Sequence, residues 1–333
     1  MVNKGHEVHF YAGQGSTQIG NFHPMKLAFG TYTKEIHGSI TALTLDDSKS
    51  ADLLEMDFVI DMTANAVDVE IIRNYNDYRR YVCYRNGYAA FGAPRLPASK
   101  RHYVVPSKQN KMLFKQNQFD AEVVKYGISD FYCPGDEPYY WRPFQILKQK
   151  DYWLFPHRPT PEKGTSILLR LARELPSETF VVAGHTPIAE HQSALMELRR
   201  SSPPNIKFVD IPLEPQHHFY KRELYRHAKA ILSPFDITRY YEGFGLSSAE
   251  AVACGTPLLI TDSASTQELW EDGVDSIFCD GFHSFKMAIQ HFSTYDLKPI
   301  NKFSTEDYVN NYLKLAKEYN NNNSDAVPKL QIG

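Results

Sequence analysis

The stretch Glu242-Gly-Phe-Gly-Leu-Ser-Ser-Ala-Glu250-Ala-Val-Ala-Cys-Gly255-Thr-Pro257 joins a glycine loop to a helix and then to a strand. Gly243 and Gly245 let the backbone approach a ligand closely. The first turn of the helix offers N–H groups without intrahelical partners and the positive end of the helix dipole, an arrangement suited to a phosphate. Glu242 and Glu250 would repel that phosphate, so within one site they are expected to accept hydrogen bonds from hydroxyls such as those of sugars and ribose. A nucleoside diphosphate sugar carries both kinds of group. A plainer reading of the same letters is that Ser247-x-x-Glu250 is a capping box and the glycines only turn the chain.

The surrounding sequence sets this stretch in an α/β domain. From Tyr152 onward, runs rich in β-branched and aromatic residues alternate with helical patterns, as in a parallel sheet with crossover helices. The expected strands are 152–156, 179–184, 206–211, 230–235, 257–262 and 276–280. Ile167, Leu168, Leu171, Ala172 and Leu175 form one helical stripe, and Leu195, Met196 and Leu198 belong to the next. Gly255 and Pro257 stop the helix after the run 249–254. Arg158-Pro-Thr-Pro-Glu-Lys163-Gly164 follows the first of these strands, at the carboxyl edge where open α/β sheets bind ligands. Arg158 and Lys163 are the cations expected to meet a diphosphate.

The first half has expected strands at 7–13, 39–45, 57–63, 80–85 and 102–107, read as a second, smaller α/β domain. Residues 135–150, proline-bearing and aromatic, have the composition of a linker. Ser304-x-x-Asp307 resembles a capping box, and Tyr308, Tyr312, Leu315 and Tyr319 continue as a helical stripe. The expected division is 1–145, 146–295, a closing helix within 296–320 packing back toward the first domain, and a flexible tail at 321–333.

With 333 residues, 42% hydrophobic and 23% charged, the chain can bury two ordinary cores. A formal charge of -3 gives no electrostatic reason to expect nucleic acid as the main partner. The four cysteines form no C-x-x-C pair, so neither a zinc site nor a disulfide framework is expected. No apolar run approaches the roughly 20 residues that cross a bilayer, and no signal-peptide core opens the chain. A soluble, cytoplasmic protein, compatible with contact at a membrane surface, is the expectation.

The run Glu242–Thr261, with its E-x7-E spacing, resembles the signature of glycosyltransferase family 4, within the glycosyl transferases group 1. The segment 156–164 resembles that family's Arg and Glu-Lys-Gly element, and 302–319 resembles its closing helix. This resemblance implies a GT-B fold with two Rossmann-like domains facing a cleft. It implies sugar transfer from a nucleotide sugar to a hydroxyl of a carbohydrate, lipid or protein-glycan acceptor, with retention of configuration. No metal and no cofactor beyond the donor co-substrate are implied. By position, Arg158, Lys163 and Glu242 take the catalytic roles. Gly243, Phe244, Gly245, Leu246 and Glu250 bind the donor, with Glu250 on the ribose. His185 is a phosphate candidate, and Ile211, within 210–213, borders the base.

This chain departs from the family pattern at several places. It begins at a segment, Lys4–Phe10, that the family usually precedes with a strand, a glycine loop and a helix. A shortened first domain is therefore expected, with Met1 a late start, a partner chain supplying the unit, or a reduced acceptor domain. Thr63 and Asn65 occupy the place of a common family histidine, and Ser263–Thr266 that of a glycine pair. Gly13, Gly15 and Gly20 do not make a dinucleotide fingerprint, since the third glycine is misplaced. Ser107 is expected to cap a helix. Two alternatives stand beside the enzyme reading: a non-catalytic GT-B scaffold that binds a sugar nucleotide, and a sugar-nucleotide epimerase on the same architecture.

Overall fold

The computed structural model describes residues 9–12, 21–24, 26–27, 43–44, 59–61, 81–84, 102–116, 120–135, 151–184, 189–211, 217–238 and 242–322. The chain divides into two units, the first of residues 1–125 with 306–333 and the second of residues 126–305. His185, Thr63, Asn65, Gly13, Gly15, Gly20 and nearly all of the 135–150 linker lie outside the described residues.

The first unit holds strands β1 (His9–Ala12), β2 (Asn21–Pro24), β3 (Lys26–Leu27), β4 (Leu43–Thr44), β5 (Val59–Asp61), β6 (Tyr81–Tyr84), β7 (His102–Val105) and β8 (Ala121–Val123). Strands β5-β6-β7-β8 form a parallel sheet in that order, β1 pairs with β2 in parallel, and β3 pairs with β4 antiparallel. Helix α1 (Lys108–Gln116) follows β7 and packs Phe114 edge-on to Tyr103, ring centroids 5.4 Å apart. Ser107 accepts a hydrogen bond from the Asn110 amide at 3.2 Å, the cap expected of it. The five strands expected here have counterparts in β1, β4, β5, β6 and β7, with only Leu43–Thr44 of 39–45 among the described residues. Strands β2, β3 and β8 are additions.

The second unit is a six-stranded parallel sheet: β9 (Tyr152–Phe155), β10 (Thr179–Val182), β11 (Ile206–Phe208), β12 (Ala230–Ser233), β13 (Leu258–Thr261) and β14 (Ser276–Cys279). All six coincide with expected strands. Their order, β11-β10-β9-β12-β13-β14, is that of a doubly wound dinucleotide-type sheet. The helices are α2 (Thr165–Glu174), α3 (Ala189–Ser201), α4 (His217–Arg226), α5 (Leu246–Ala253), α6 (Ala264–Leu269) and α7 (Gly281–Gln290).

Alternation along the strands explains the two-sided core. Tyr152 and Leu154 point into one cluster with Leu224 and Tyr225 of α4, Ala249 and Val252 of α5 and Leu269 of α6. Trp153 and Phe155 point into the other with Leu168 and Leu171 of α2, Leu198 of α3 and Phe285 of α7. Helices thus cover both faces, which is why these strands are apolar at consecutive positions. In the α3 stripe only part of the expectation holds: Leu198 is buried, whereas Met196 is exposed.

The sheet reverses its winding between β9 and β12, which lie side by side with Ile231 opposite Leu154. Helix α8 (Thr305–Asn322) starts directly after Ser304, and Tyr312 and Leu315 are buried. Among the described residues no helix is long and apolar enough to cross a membrane.

Candidate functional site

The carboxyl ends of β9 and β12, where an open α/β sheet reverses its winding, gather segments singled out above. After β9 the chain runs through His157 and Arg158 into a single 3-10 turn, Pro161–Lys163. Gly164, at φ 86°, turns the chain, and α2 starts at Thr165. A Cβ at Gly164 would lie 1.8 Å from the carbonyl oxygen of Pro234. The turn is thus pressed against the segment leaving β12, and the Asp236 amide donates to the Glu162 carbonyl at 3.0 Å. Glycine is required there on both counts.

Lys163 is only 8% exposed. Its Nζ donates to Oε2 of Glu242 at 2.8 Å, and that carboxylate is nearly as buried. Burial holds the lysine below its usual pKa, Glu242 acts in the opposite direction, and the nearby Arg158 charge adds to the lowering. Arg158 itself is half-buried.

Helix α5 begins at Leu246 with Gly245 as its N-cap, at φ 72° and without any side-chain capping bond. The capping-box reading of Ser247 and Glu250 is therefore not what the fold uses: both residues lie within the helix, and the left-handed glycine ends the loop. The leading amides receive no cap side chain, as a ligand-binding N-terminus requires. Glu242 curls beside this terminus, its Cγ 3.5 Å from where a Cβ on Gly245 would stand. Phe244 is 3% exposed and packs edge-on between Tyr126 at 5.1 Å and Phe303 at 4.8 Å. Its side chain anchors the glycine loop in the core. Leu246 is exposed.

Glu250, on the second turn of α5, is 9% exposed. Its Oε2 accepts from the Tyr225 hydroxyl at 3.0 Å and pairs with Lys221 Nζ at 2.5 Å, both from α4. Tyr132 stands close by: burial, then the Glu250 charge, push its hydroxyl far above the ordinary tyrosine range. The Tyr132 hydroxyl is also 2.9 Å from Nδ1 of His218. Lys221, Tyr225 and Tyr132 are thus neighbours of the site that sequence reading missed. The available signal was Lys221 one helical turn before Tyr225, which acquires meaning only once α4 packs on α5.

His157 is 7% exposed, and its Nε2 has no hydrogen-bond partner. Burial, with the Lys163 charge adding, drives its pKa well below the ordinary histidine value, so the ring is neutral near pH 7. Ile211 is partly buried against the core cluster on the α4 side of the sheet. Ser263 caps α6 in a reciprocal box with Thr266, which accounts for this sequence at that turn. Among the described residues no group of three or more His, Cys, Asp or Glu side chains is placed to hold a metal ion.

Residues 141–295 match the family model of the glycosyl transferases group 1. Among curated proteins, the chain is 28% identical over 178 residues to the D-inositol 3-phosphate glycosyltransferase of Mycolicibacterium smegmatis, covering 53% of this chain and 40% of that protein. It is 29% identical over 161 residues to the enzyme of the same name from Mycobacterium tuberculosis, covering 48% of this chain and 33% of the relative. The chain thus spans less than half the length of these relatives.

Among solved structures, a glycosyltransferase from Rickettsia africae aligns with a TM-score of 0.64 at 14% identity, over 90% of this chain and 85% of that one. Anabaena Alr3699/HepE, solved with UDP and glucose, aligns with a TM-score of 0.57 at 13% identity, over 84% and 80% of the two chains. The fold is accordingly the α/β fold of GT-B glycosyltransferases, and residues 141–295 are similar in sequence to the glycosyl transferases group 1.

Proposed function

We propose that this chain binds a nucleoside diphosphate sugar in the crevice between β9, β12 and the start of α5. It transfers the sugar to an acceptor hydroxyl with retention of configuration, as a family 4 glycosyltransferase. The observation that carries this reading is the buried Lys163–Glu242 pair beside the uncapped N-terminus of α5. A buried ion pair held next to free amides is costly to keep for stability alone. It has a use if an anion is to take the lysine. When the diphosphate arrives, Lys163 and Arg158 pair with it, and Glu242 is released to accept a hydroxyl of the donor sugar.

In the reaction the bond from the anomeric carbon to the phosphate oxygen breaks, and a bond to the acceptor oxygen forms on the same face. The acceptor proton passes to the departing phosphate oxygen. Charge on that phosphate is met by Lys163, Arg158 and the α5 amides, which is the main catalytic requirement. Glu250 holds the ribose, Gly243, Gly245 and Leu246 serve through their backbone, and Ile211 borders the base. No metal takes part, and the reaction takes place in the cytoplasm. The acceptor is a carbohydrate, lipid or glycan hydroxyl.

The test is a turnover assay with UDP-, ADP- and GDP-sugars and simple acceptors, including an inositol phosphate, with and without EDTA. We expect metal-independent transfer from one donor class and a product with the donor's anomeric configuration. Donor binding without transfer or slow hydrolysis would contradict it in favour of a scaffold.

A further inference from the structure

Lys221 has no role in the site as proposed above, yet it is tied to it by geometry. It lies on α4 four residues before Tyr225, so both side chains leave one face of that helix. Its Nζ is 5.8 Å from the centre of the Tyr225 ring and 2.5 Å from Oε2 of Glu250. Helix α4 is itself anchored: the Tyr152 hydroxyl donates to the Leu224 carbonyl at 2.8 Å, and the Thr256 hydroxyl to the Tyr225 carbonyl at 2.6 Å. The cation is therefore mounted on a fixed element, and its side chain is 22% exposed.

Both the Lys221 pair and the Tyr225 hydrogen bond fall on the same oxygen, Oε2. An ionised carboxylate has acceptor sites on both oxygens. Two donors on Oε2 fix the plane and charge of the group, with the Tyr132 hydroxyl as a further hydrogen-bonding neighbour of the carboxylate, and a carboxylate has about four acceptor sites in all. A buried carboxylate deprived of its cation becomes a costly unpaired charge and a poorly oriented acceptor.

We propose that Lys221 is a positioning residue: by clamping Oε2 of Glu250 together with Tyr225, it orients the remaining acceptor sites of that carboxylate toward a ribose hydroxyl and makes the donor site selective for ribonucleotides. This rests on the nucleotide reading above and adds to it the residue that enforces sugar-ring discrimination. A lysine that served stability alone would leave that discrimination unchanged.

The experiment is calorimetric titration of the full chain with UDP, ADP and GDP and with the 2′-deoxy and 3′-deoxy forms of whichever binds. It is run on wild type, Lys221→Met, Lys221→Arg and Glu250→Gln, each shown folded by its thermal transition. Wild type is expected to prefer one ribose form over its deoxy counterpart by roughly 10-fold or more, the scale of one hydrogen bond to a charged group. Lys221→Met should bring that preference below about 3-fold, Glu250→Gln should do the same, and Lys221→Arg should keep most of it. Undiminished preference in Lys221→Met overturns the clamp while leaving nucleotide binding intact. Failure of wild type to bind any of the three nucleotides overturns the nucleotide reading and the clamp with it.

Discussion

Lys163 and Glu242 are 79 positions apart in the chain and form one buried pair at 2.8 Å. Lys163→Ala should lower kcat about 100- to 1,000-fold, the loss typical of one donor to a developing oxyanion. The check is steady-state kinetics beside a thermal melt that shows the variant folded. His157 carries a separate expectation. Its pKa is depressed in the folded chain, so only the unfolded chain takes up its proton as pH falls below about 6.5. The stability it contributes is complete above that pH and is lost as pH falls toward the folded-state value. Urea titrations at pH 7.5 and 5.5 should show this decline in wild type, and a smaller one in His157→Gln. As candidates, Arg158, Lys163, Glu242 and Glu250 were legible in sequence because motif and loop position coincide. Lys221 and the buried state of His157 were not, since a pair formed between two helices leaves no periodic trace.

At the scale of elements, the second unit was readable because each strand, buried on both faces, is a nearly unbroken apolar run between clear helical stripes. The first unit was less so: β2 (Asn-Phe-His-Pro) and β8 (Ala-Glu-Val) have no such runs and take their place from strand neighbours. The helix boundaries at the site turn on glycines. At Gly245 a side chain meets a left-handed backbone but only ordinary contacts, so Gly245→Ala should cost about 1–2 kcal/mol of stability and weaken nucleotide binding. Gly184 differs, because a Cβ there would stand 1.8 Å from the His157 carbonyl oxygen, at the adjoining ends of β9 and β10. Gly184→Ala should force those strand ends apart and destabilise the chain by at least about 3 kcal/mol in denaturant unfolding.

For the whole molecule, the proposed nucleotide binding would be linked to folding. A ligand that binds the native state alone should raise stability by about 2.7 kcal/mol at 100 times its dissociation constant. Thermal melts with UDP, ADP and GDP, in EDTA, should therefore show one base class raising the transition clearly above the others. In the proposed reading, the parallel sheet order, with its reversal between β9 and β12, determines where that ligand would bind, whereas the choice of base and sugar would depend on a few side chains around it. The most direct measurement is titration calorimetry of wild type and Lys163→Ala with the nucleotide sugar that gives the largest thermal shift. The account predicts one site per chain and affinity at least about 10-fold weaker in the folded variant, as expected for losing a charged hydrogen bond. Equal affinity in the two proteins, or no binding by wild type, would contradict it.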